Sequence, residues 1–386
     1  MTHTLVVAAV SARLLAEAGV REGFRVIAID AFGDADTRRA AALWLPLAQP
    51  GRMTPDAERV LAALRRCADE PGVIGWIAGA GFDAAPAWLD QAAESLPLLG
   101  TAPAALRALR DPAQWFAALA RLAIAHPPSA LTLPADRRGW LIKDLHGSGG
   151  WEVRDACGAQ GLRGAEYAQR ELAGRPVSLL FVADAAGVRT IGCQWLLSTS
   201  IGDRRHVFAG VIGPLTLPPL AERALLDAAS ALASAFDVRG LASLDALLLD
   251  DGGIAVLELN ARPPASLALY PDHGLIGAHL AACGVTISRS EMPSPSPTGT
   301  ARALRGTEIV YARHALHINA ATAVRLAARP DVHDWPAANS RFDPGQPVCS
   351  LAVTGSDTGT GTEADALRAT LAAMRDALLD ELENLS

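Results

Sequence analysis

The chain has 386 residues, half of them hydrophobic and 19% charged, with a formal net charge of −7. That length exceeds what one hydrophobic core supports, so two or three domains are expected. The acidic balance excludes a general nucleic-acid binder, and an acidic substrate would need local arginines rather than a basic field. The five cysteines (Cys67, Cys157, Cys193, Cys283, Cys349) form no CxxC pair, which argues against a disulfide framework or structural zinc and for a reducing cytoplasm. No apolar run approaches the roughly 18 residues that span a bilayer. The start, Met1-Thr2-His3-Thr4, lacks the basic character of a secretory signal.

Residues 1 to about 100 alternate strand-like and helix-like segments: 5–10 strand, 11–18 helix, 24–30 strand, 54–67 helix after the cap signal Thr54-Pro55-Asp56, 73–78 strand, 85–94 helix. Such alternation predicts a parallel sheet covered by helices. Gly79-Ala80-Gly81-Phe82-Asp83-Ala84 fits GxGxxA after a strand, and a dinucleotide-binding oxidoreductase is one reading of it. The motif follows a late strand, and no acidic residue sits about 20 positions on to hold a ribose, so turn glycines explain it better.

Segment 101–125 reads as two helical pieces broken at Asp111-Pro112. Then comes Trp140-Leu141-Ile142-Lys143-Asp144-Leu145-His146-Gly147-Ser148-Gly149-Gly150-Trp151. Lys143 is the only lysine in a chain that otherwise uses arginine. An ammonium is a compact point charge suited to one phosphate oxygen, and glycines let backbone N–H groups approach an anion closely. Strand, lysine, glycine loop and strand therefore read as a hairpin folded over a polyphosphate. Segments 177–183 and 189–199 read as a hairpin across Asp184-Ala185-Ala186-Gly187, and 220–236 as an amphipathic helix stopped at Gly240.

Within 240–262, Asp251-Gly252 is a turn signal between two apolar runs. With that pair as the loop, Leu249 faces Ile254 and Asp245 falls opposite Glu258, their Cβ atoms roughly 5 Å apart. Asn260 shares the face of Glu258. Two facing carboxylates inside an apolar hairpin repel, and one proton or a divalent cation relieves them. Their oxygens, with an amide carbonyl, suit Mg²⁺ carrying nucleotide phosphates. Segment 290–300, rich in Ser, Pro and Thr, reads as a linker or exposed loop. Strands are expected at 308–312 and 348–353, and an amphipathic helix at 363–385.

In this order the parts resemble the ATP-grasp superfamily. The resemblance implies an α/β architecture of two α+β lobes clasping ATP, preceded by a Rossmann-like parallel-sheet domain and followed by a small α+β extension. Its boundaries would be 1–105, 106–288 (small lobe about 106–170, large lobe about 171–288) and 289–386. Lys143 matches the phosphate lysine, with His146, Gly147, Ser148, Gly149 and Gly150 the mobile loop. Gln169, Arg170, Glu171 and Leu172 match the adenine-side hinge, Asp245, Glu258 and Asn260 the metal ligands, and Arg262 the phosphate-side arginine. ATP and Mg²⁺ (or Mn²⁺) are the implied cofactors, and small-molecule carboxylates and amines the partners, with a homodimer possible. Ser243-Leu244-Asp245 and the run from Glu258 to Leu267 look most like a branch associated with tetrahydromethanopterin and methylofuran synthesis, including tyramine–glutamate ligase-like enzymes. Two departures stand out. A lysine common upstream would fall at Pro112, leaving its phosphate contact absent or supplied by Arg107 or Arg110, and Ser243 replaces an arginine found in many relatives. The implied activity is ATP-dependent carboxylate–amine ligation, with a non-catalytic ATP- or ADP-binding protein or regulatory subunit as the alternative.

Overall fold

The computed structural model describes residues 3–49, 52–83, 87–286, 303–355 and 361–385. The expected linker at 290–300, Ala84 of the glycine motif and the start of the helix expected at 85–94 lie outside the described residues.

Four parallel strands, β1 (Thr4–Ala8), β2 (Arg25–Asp30), β3 (Leu43–Pro46) and β4 (Val73–Ala78), form the first sheet in the order β3-β2-β1-β4. All five residues of β1 are buried, as a strand covered by helices on both faces must be. The helix after the cap signal spans Ala57–Ala68, and its N-cap is Asp56, whose carboxylate accepts from Arg59 N–H at 3.1 Å. The chain runs from β1 to β2 on one side and returns to β4 on the other. Loops leaving β1 and β4 therefore flank a switch point at the carboxyl ends of the strands, where open α/β sheets bind ligands.

Helices Pro103–Leu109 and Pro112–Arg121 follow, broken where expected, with Asp111 capping the second through Ala113 and Gln114 N–H. A small antiparallel sheet comes next: β5 (Ser129–Ala130), β6 (Trp140–Asp144), β7 (Arg154–Asp155) and β8 (Glu166–Arg170), ordered β5-β8-β6-β7. Beyond it run β9 (Arg175–Asp184), β10 (Gly187–Ile201), β11 (Arg204–Leu215), β12 (Gly240–Leu248), β13 (Ile254–Asn260), β14 (Arg305–Tyr311), β15 (Leu316–Ile318), β16 (Val332–His333), β17 (Ser340–Phe342) and β18 (Pro347–Thr354). Eight of these build one sheet, β13-β12-β9-β10-β11-β14-β18-β16, while β15 and β17 pair separately. The C-terminal strands thus extend the sheet of the central region through the β11–β14 pairing. Helices Pro219–Ala235 and Gly361–Leu385 bury Leu225, Leu232, Leu367, Leu371 and Leu378 in the same apolar cluster as that sheet.

The parallel-sheet domain is tied to the rest by buried polar contacts. Asp36 accepts the N–H groups of Asp334 and Trp335, and Arg13 grips Asp334 through Nε at 2.8 Å and Nη2 at 3.2 Å. Glu22 accepts from Ile276 and Gly277 N–H.

The β12–β13 hairpin corrects one expectation and keeps its consequence. The loop is three residues, 250–252, because Leu249 N–H donates to Gly253 O and Leu248 pairs with Ile254. Gly252 takes φ +83°, the left-handed position such loops require. That one-residue slip would turn the acids to opposite faces. A bulge at Leu257 reverses it: Ala246 pairs with Val256, yet Asp245 pairs with Glu258.

Candidate active site

Lys143, His146, Gly147, Ser148, Gly149, Gly150, Gln169, Arg170, Glu171, Leu172, Asp245, Glu258, Asn260 and Arg262 all line one cleft of about 1410 Å³. β6 carries Lys143 in and β7 returns from the glycine loop, pairing Leu141 with Asp155 and Ile142 with Arg154. β8 places Gln169 beside the lysine, whose Nζ donates to Gln169 Oε1 at 3.3 Å. The β12–β13 hairpin forms the facing wall.

Asn260 organises the acids. Its Nδ2 donates to Asp245 Oδ2 at 3.0 Å and Glu258 Oε1 at 3.2 Å, while its Oδ1 accepts from Arg110 Nη2 at 3.2 Å. The Ser178 hydroxyl, from β9, donates to Asp245 Oδ1 at 2.6 Å. Burial and the neighbouring Glu258 push the Asp245 carboxyl up from its ordinary value. Burial would also raise Glu258, but Lys143 and Arg110 outweigh it and hold that carboxyl low. Lys143 is opposed by burial, and the Tyr167 oxygen with Glu258 and Asp245 raises it above the ordinary lysine value. The donor set fits a divalent cation: two crowded carboxylates, one of them driven toward protonation, would be relieved by it. Among the described residues no group of three or more His, Cys, Asp or Glu side chains could hold a metal, so its remaining ligands would be phosphate oxygens, waters, or Asn260 with its amide turned over.

Other residues are committed differently from a simple contact surface. Arg170 Nη1 donates to Arg138 O at 2.8 Å. Glu171 pairs with Arg205 at 3.3 Å and lies 3.4 Å from His206 Nε2. Arg107 bonds Asp90 on the surface, and Arg110 is buried behind Asn260. Neither arginine lines the cleft, so neither supplies the phosphate contact missing at Pro112.

The glycine loop lies against β11. Phe208 N–H donates to Gly149 O at 2.8 Å, and a β-carbon on Gly150 would stand 2.0 Å from His206 O. Trp151, just after the loop, meets Tyr311 of β14 edge-on with centroids 5.9 Å apart, and the Tyr311 hydroxyl donates to Phe208 O.

Three contributors escaped the sequence reading. Asp83, from the loop after β4, is buried and accepts Arg262 Nε at 2.6 Å and Arg110 Nη2 at 3.1 Å. Ser178 is a lone hydroxyl in an apolar strand, a signal that was readable. The Arg13–Asp334 pair brings two distant segments to the cleft wall, beside Asp34. Burial and the neighbouring Asp334, Asp30 and Asp36 push Asp34 up to about 9.

The fold is that of the ATP-grasp clasp, and the comparisons agree. Residues 111–266 match the family model described as ATP-grasp domain. The structure resembles an L-amino acid ligase from Bacillus licheniformis with TM-score 0.69 and 14% identity, covering 96% of this chain and 97% of the other. It also resembles biotin carboxylase from Campylobacter jejuni (TM-score 0.68, 14% identity, 99% and 95% covered). A third is carboxyaminoimidazole ribonucleotide synthase from Aspergillus clavatus complexed with ATP (TM-score 0.65, 14% identity, 99% of each chain covered). No curated protein sequence matches the chain. The chain has the α/β ATP-grasp fold, with a Rossmann-like parallel sheet ahead of it and a large antiparallel sheet within it. Among the described residues no helix is long and apolar enough to cross a membrane.

Proposed function

We propose that this protein is an ATP-dependent carboxylate–amine ligase that forms an amide through an acyl phosphate. One observation carries the reading: the sole lysine, the glycine loop and the facing acids converge on one cleft between the lobes. A carboxylate oxygen of the first substrate attacks the γ-phosphorus of ATP, giving an acyl phosphate and ADP. The amine nitrogen then attacks the acyl carbon, phosphate leaves, and the nitrogen loses a proton. Such transfers ask the protein mainly for positioning and charge neutralisation.

Lys143 and the N–H groups of the loop would hold the phosphates, with Gln169 fixing the ammonium. Gln169 to Leu172 would edge the adenine. Asp245 and Glu258, with Asn260, would hold Mg²⁺, which when bound draws negative charge off the transferring group. Arg262 would steady the phosphoryl group, and the loop against β11 would exclude water from the acyl phosphate. We further assign the acid to an amino acid such as glutamate, which Arg204 and the segment 262–266 on the cleft wall can meet, Arg205 and His206 being turned to Glu171. The motifs 243–245 and 258–267 support a place in the synthesis of a one-carbon cofactor of the methylofuran or tetrahydromethanopterin type. Five unpaired cysteines support a reducing cytoplasm.

The test is ADP release over a panel of amino acids and amines. Lys143→Ala and Glu258→Gln should each abolish it, and full turnover in either refutes the assignment. A second reading, a nucleotide-binding protein without turnover, draws on the absence of Arg107 and Arg110 from the cleft. Tight ATP binding with no ADP released over the panel would favour it.

A further inference from the structure

The glycine motif at 79–84 has no role in the scheme above, yet its loop enters the cleft wall. Its glycines serve close packing. A β-carbon on Gly79 would lie 2.8 Å from Ala9 Cβ, and one on Gly81, at φ +101°, 2.6 Å from Val10 Cγ2. Backbone bonds fasten this loop to the exit of β1: Gly79 N–H to Ala8 O at 2.7 Å and Val10 N–H to Ala80 O at 2.8 Å. The loop so fixed ends in Asp83, 5% exposed, with one carboxylate oxygen accepting from its own Gly81 N–H at 3.2 Å.

The other oxygen leaves the domain. Asp83 Oδ1 accepts Arg262 Nε from a residue 179 positions away, and also Arg110 Nη2. Arg262 Nη2 stands 3.5 Å from Asn260 Oδ1, and its Nη1 has no hydrogen-bond partner among the described residues. The Arg262 side chain is 17% exposed, on the cleft. Asp83 therefore grips the inner edge of a planar fork, which leaves the outer nitrogen for a ligand. Two guanidiniums share this one carboxylate, so a positive charge persists beside Asn260 and the acids. Burial would raise the Asp83 carboxyl, but Arg262 and Arg110 outweigh burial and keep it ionised.

We propose that Asp83 is a positioning residue, which fixes the Arg262 guanidinium for phosphoryl transfer from the parallel-sheet domain. This rests on the role given to Arg262 above. Losing the charge of Asp83 leaves the fork free to swing and the two guanidiniums to repel, while the phosphate grip of Lys143 is untouched. Turnover should then fall with little change in ATP affinity.

The experiment measures kcat, KM for ATP and melting temperature for full-length wild type, Asp83→Asn, Asp83→Glu, Arg262→Met and Glu22→Gln, using Mg-ATP with a mixture of the common amino acids and following ADP. Glu22 serves as control because it holds the same domain junction, through Ile276 and Gly277 N–H, away from the cleft. Asp83→Asn should lose about 10- to 100-fold in kcat, the scale of one charge-assisted hydrogen bond, with KM for ATP within about twofold. Asp83→Glu should recover part of the loss, and it stands in should Asp83→Asn fail to fold. Glu22→Gln should melt lower with wild-type kcat. Wild-type kcat in Asp83→Asn, or an equal loss in Glu22→Gln, overturns the proposal while leaving the role of Arg262 standing. Full turnover in Arg262→Met, or no ADP from wild type, removes the reading beneath it.

Discussion

Gly150→Ala is the sharpest perturbation of the glycine loop. The added β-carbon would sit 2.0 Å from His206 O, and Gly150 holds φ +74°. No rotamer can relieve a contact made by Cβ with backbone, so the loop must lift from β11. The left-handed conformation costs an alanine about 1–2 kcal/mol, and losing the Gly149–Phe208 hydrogen bond about 0.5–1.5 kcal/mol. The seated loop should therefore lose about 1.5–3.5 kcal/mol, or roughly 10- to 300-fold in population. The clash itself comes on top of this. Isothermal titration with Mg-ATP should show affinity reduced at least tenfold. The melting temperature should stay near wild type, because the loop lies outside the apolar clusters. An alanine variant that binds Mg-ATP as tightly as wild type would refute the idea that this loop, seated on β11, grips the phosphates.

Lys143→Met should weaken Mg-ATP binding by about 10- to 100-fold, and Lys143→Arg should not restore it, since a planar fork replaces a point charge; titration calorimetry compares all three proteins. Asp334→Asn breaks the bidentate pair with Arg13 at the junction with the C-terminal strands. Urea unfolding should register about 1–3 kcal/mol lost, the scale of a charge-assisted hydrogen bond, because Glu17 at 3.1 Å and Asp36 at 3.6 Å still face the Arg13 guanidinium. His279 is buried, with Nδ1 accepting Leu241 N–H and Nε2 against Leu99 O. Burial, partly opposed by the Leu99 bond, lowers its imidazole to about 4 from the ordinary 6.5. The folded state thus binds fewer protons than the unfolded one below pH 6.5. Stability should be full above that pH and decline toward pH 4, by about 3 kcal/mol in all. Denaturant midpoints for His279→Gln should lack this part of the acid decline, and an unchanged pH profile would disprove it.

Much of the architecture was readable because its causes are local. The Asp56 and Asp111 caps mark helix starts, and the Asp184–Gly187 turn joins two strands that pair as expected. The lone lysine stands out in composition alone. The pairing of Asp245 with Glu258 was reached by counting from a two-residue turn, and the fold reaches it with a longer turn and a compensating bulge. Period-2 alternation specifies which face an acid takes, whereas a bulge depends on how the strand packs against its neighbours. The strand at 204–215, onto which the glycine loop folds, was not legible as a strand, and Arg204-Arg205-His206 at its start reads as a loop.

By itself, then, the amino-acid order determined the local elements, the unusual residues and the family likeness they carry. What only the tertiary structure decided is convergence: Asp83 meeting Arg262, Arg110 turned behind Asn260, and Arg13 clasping Asp334. These contacts join residues 150 to 321 positions apart, and no short-range pattern encodes them. Charges that look solvated in the linear chain become paired only when sheets from two domains close around the same cleft.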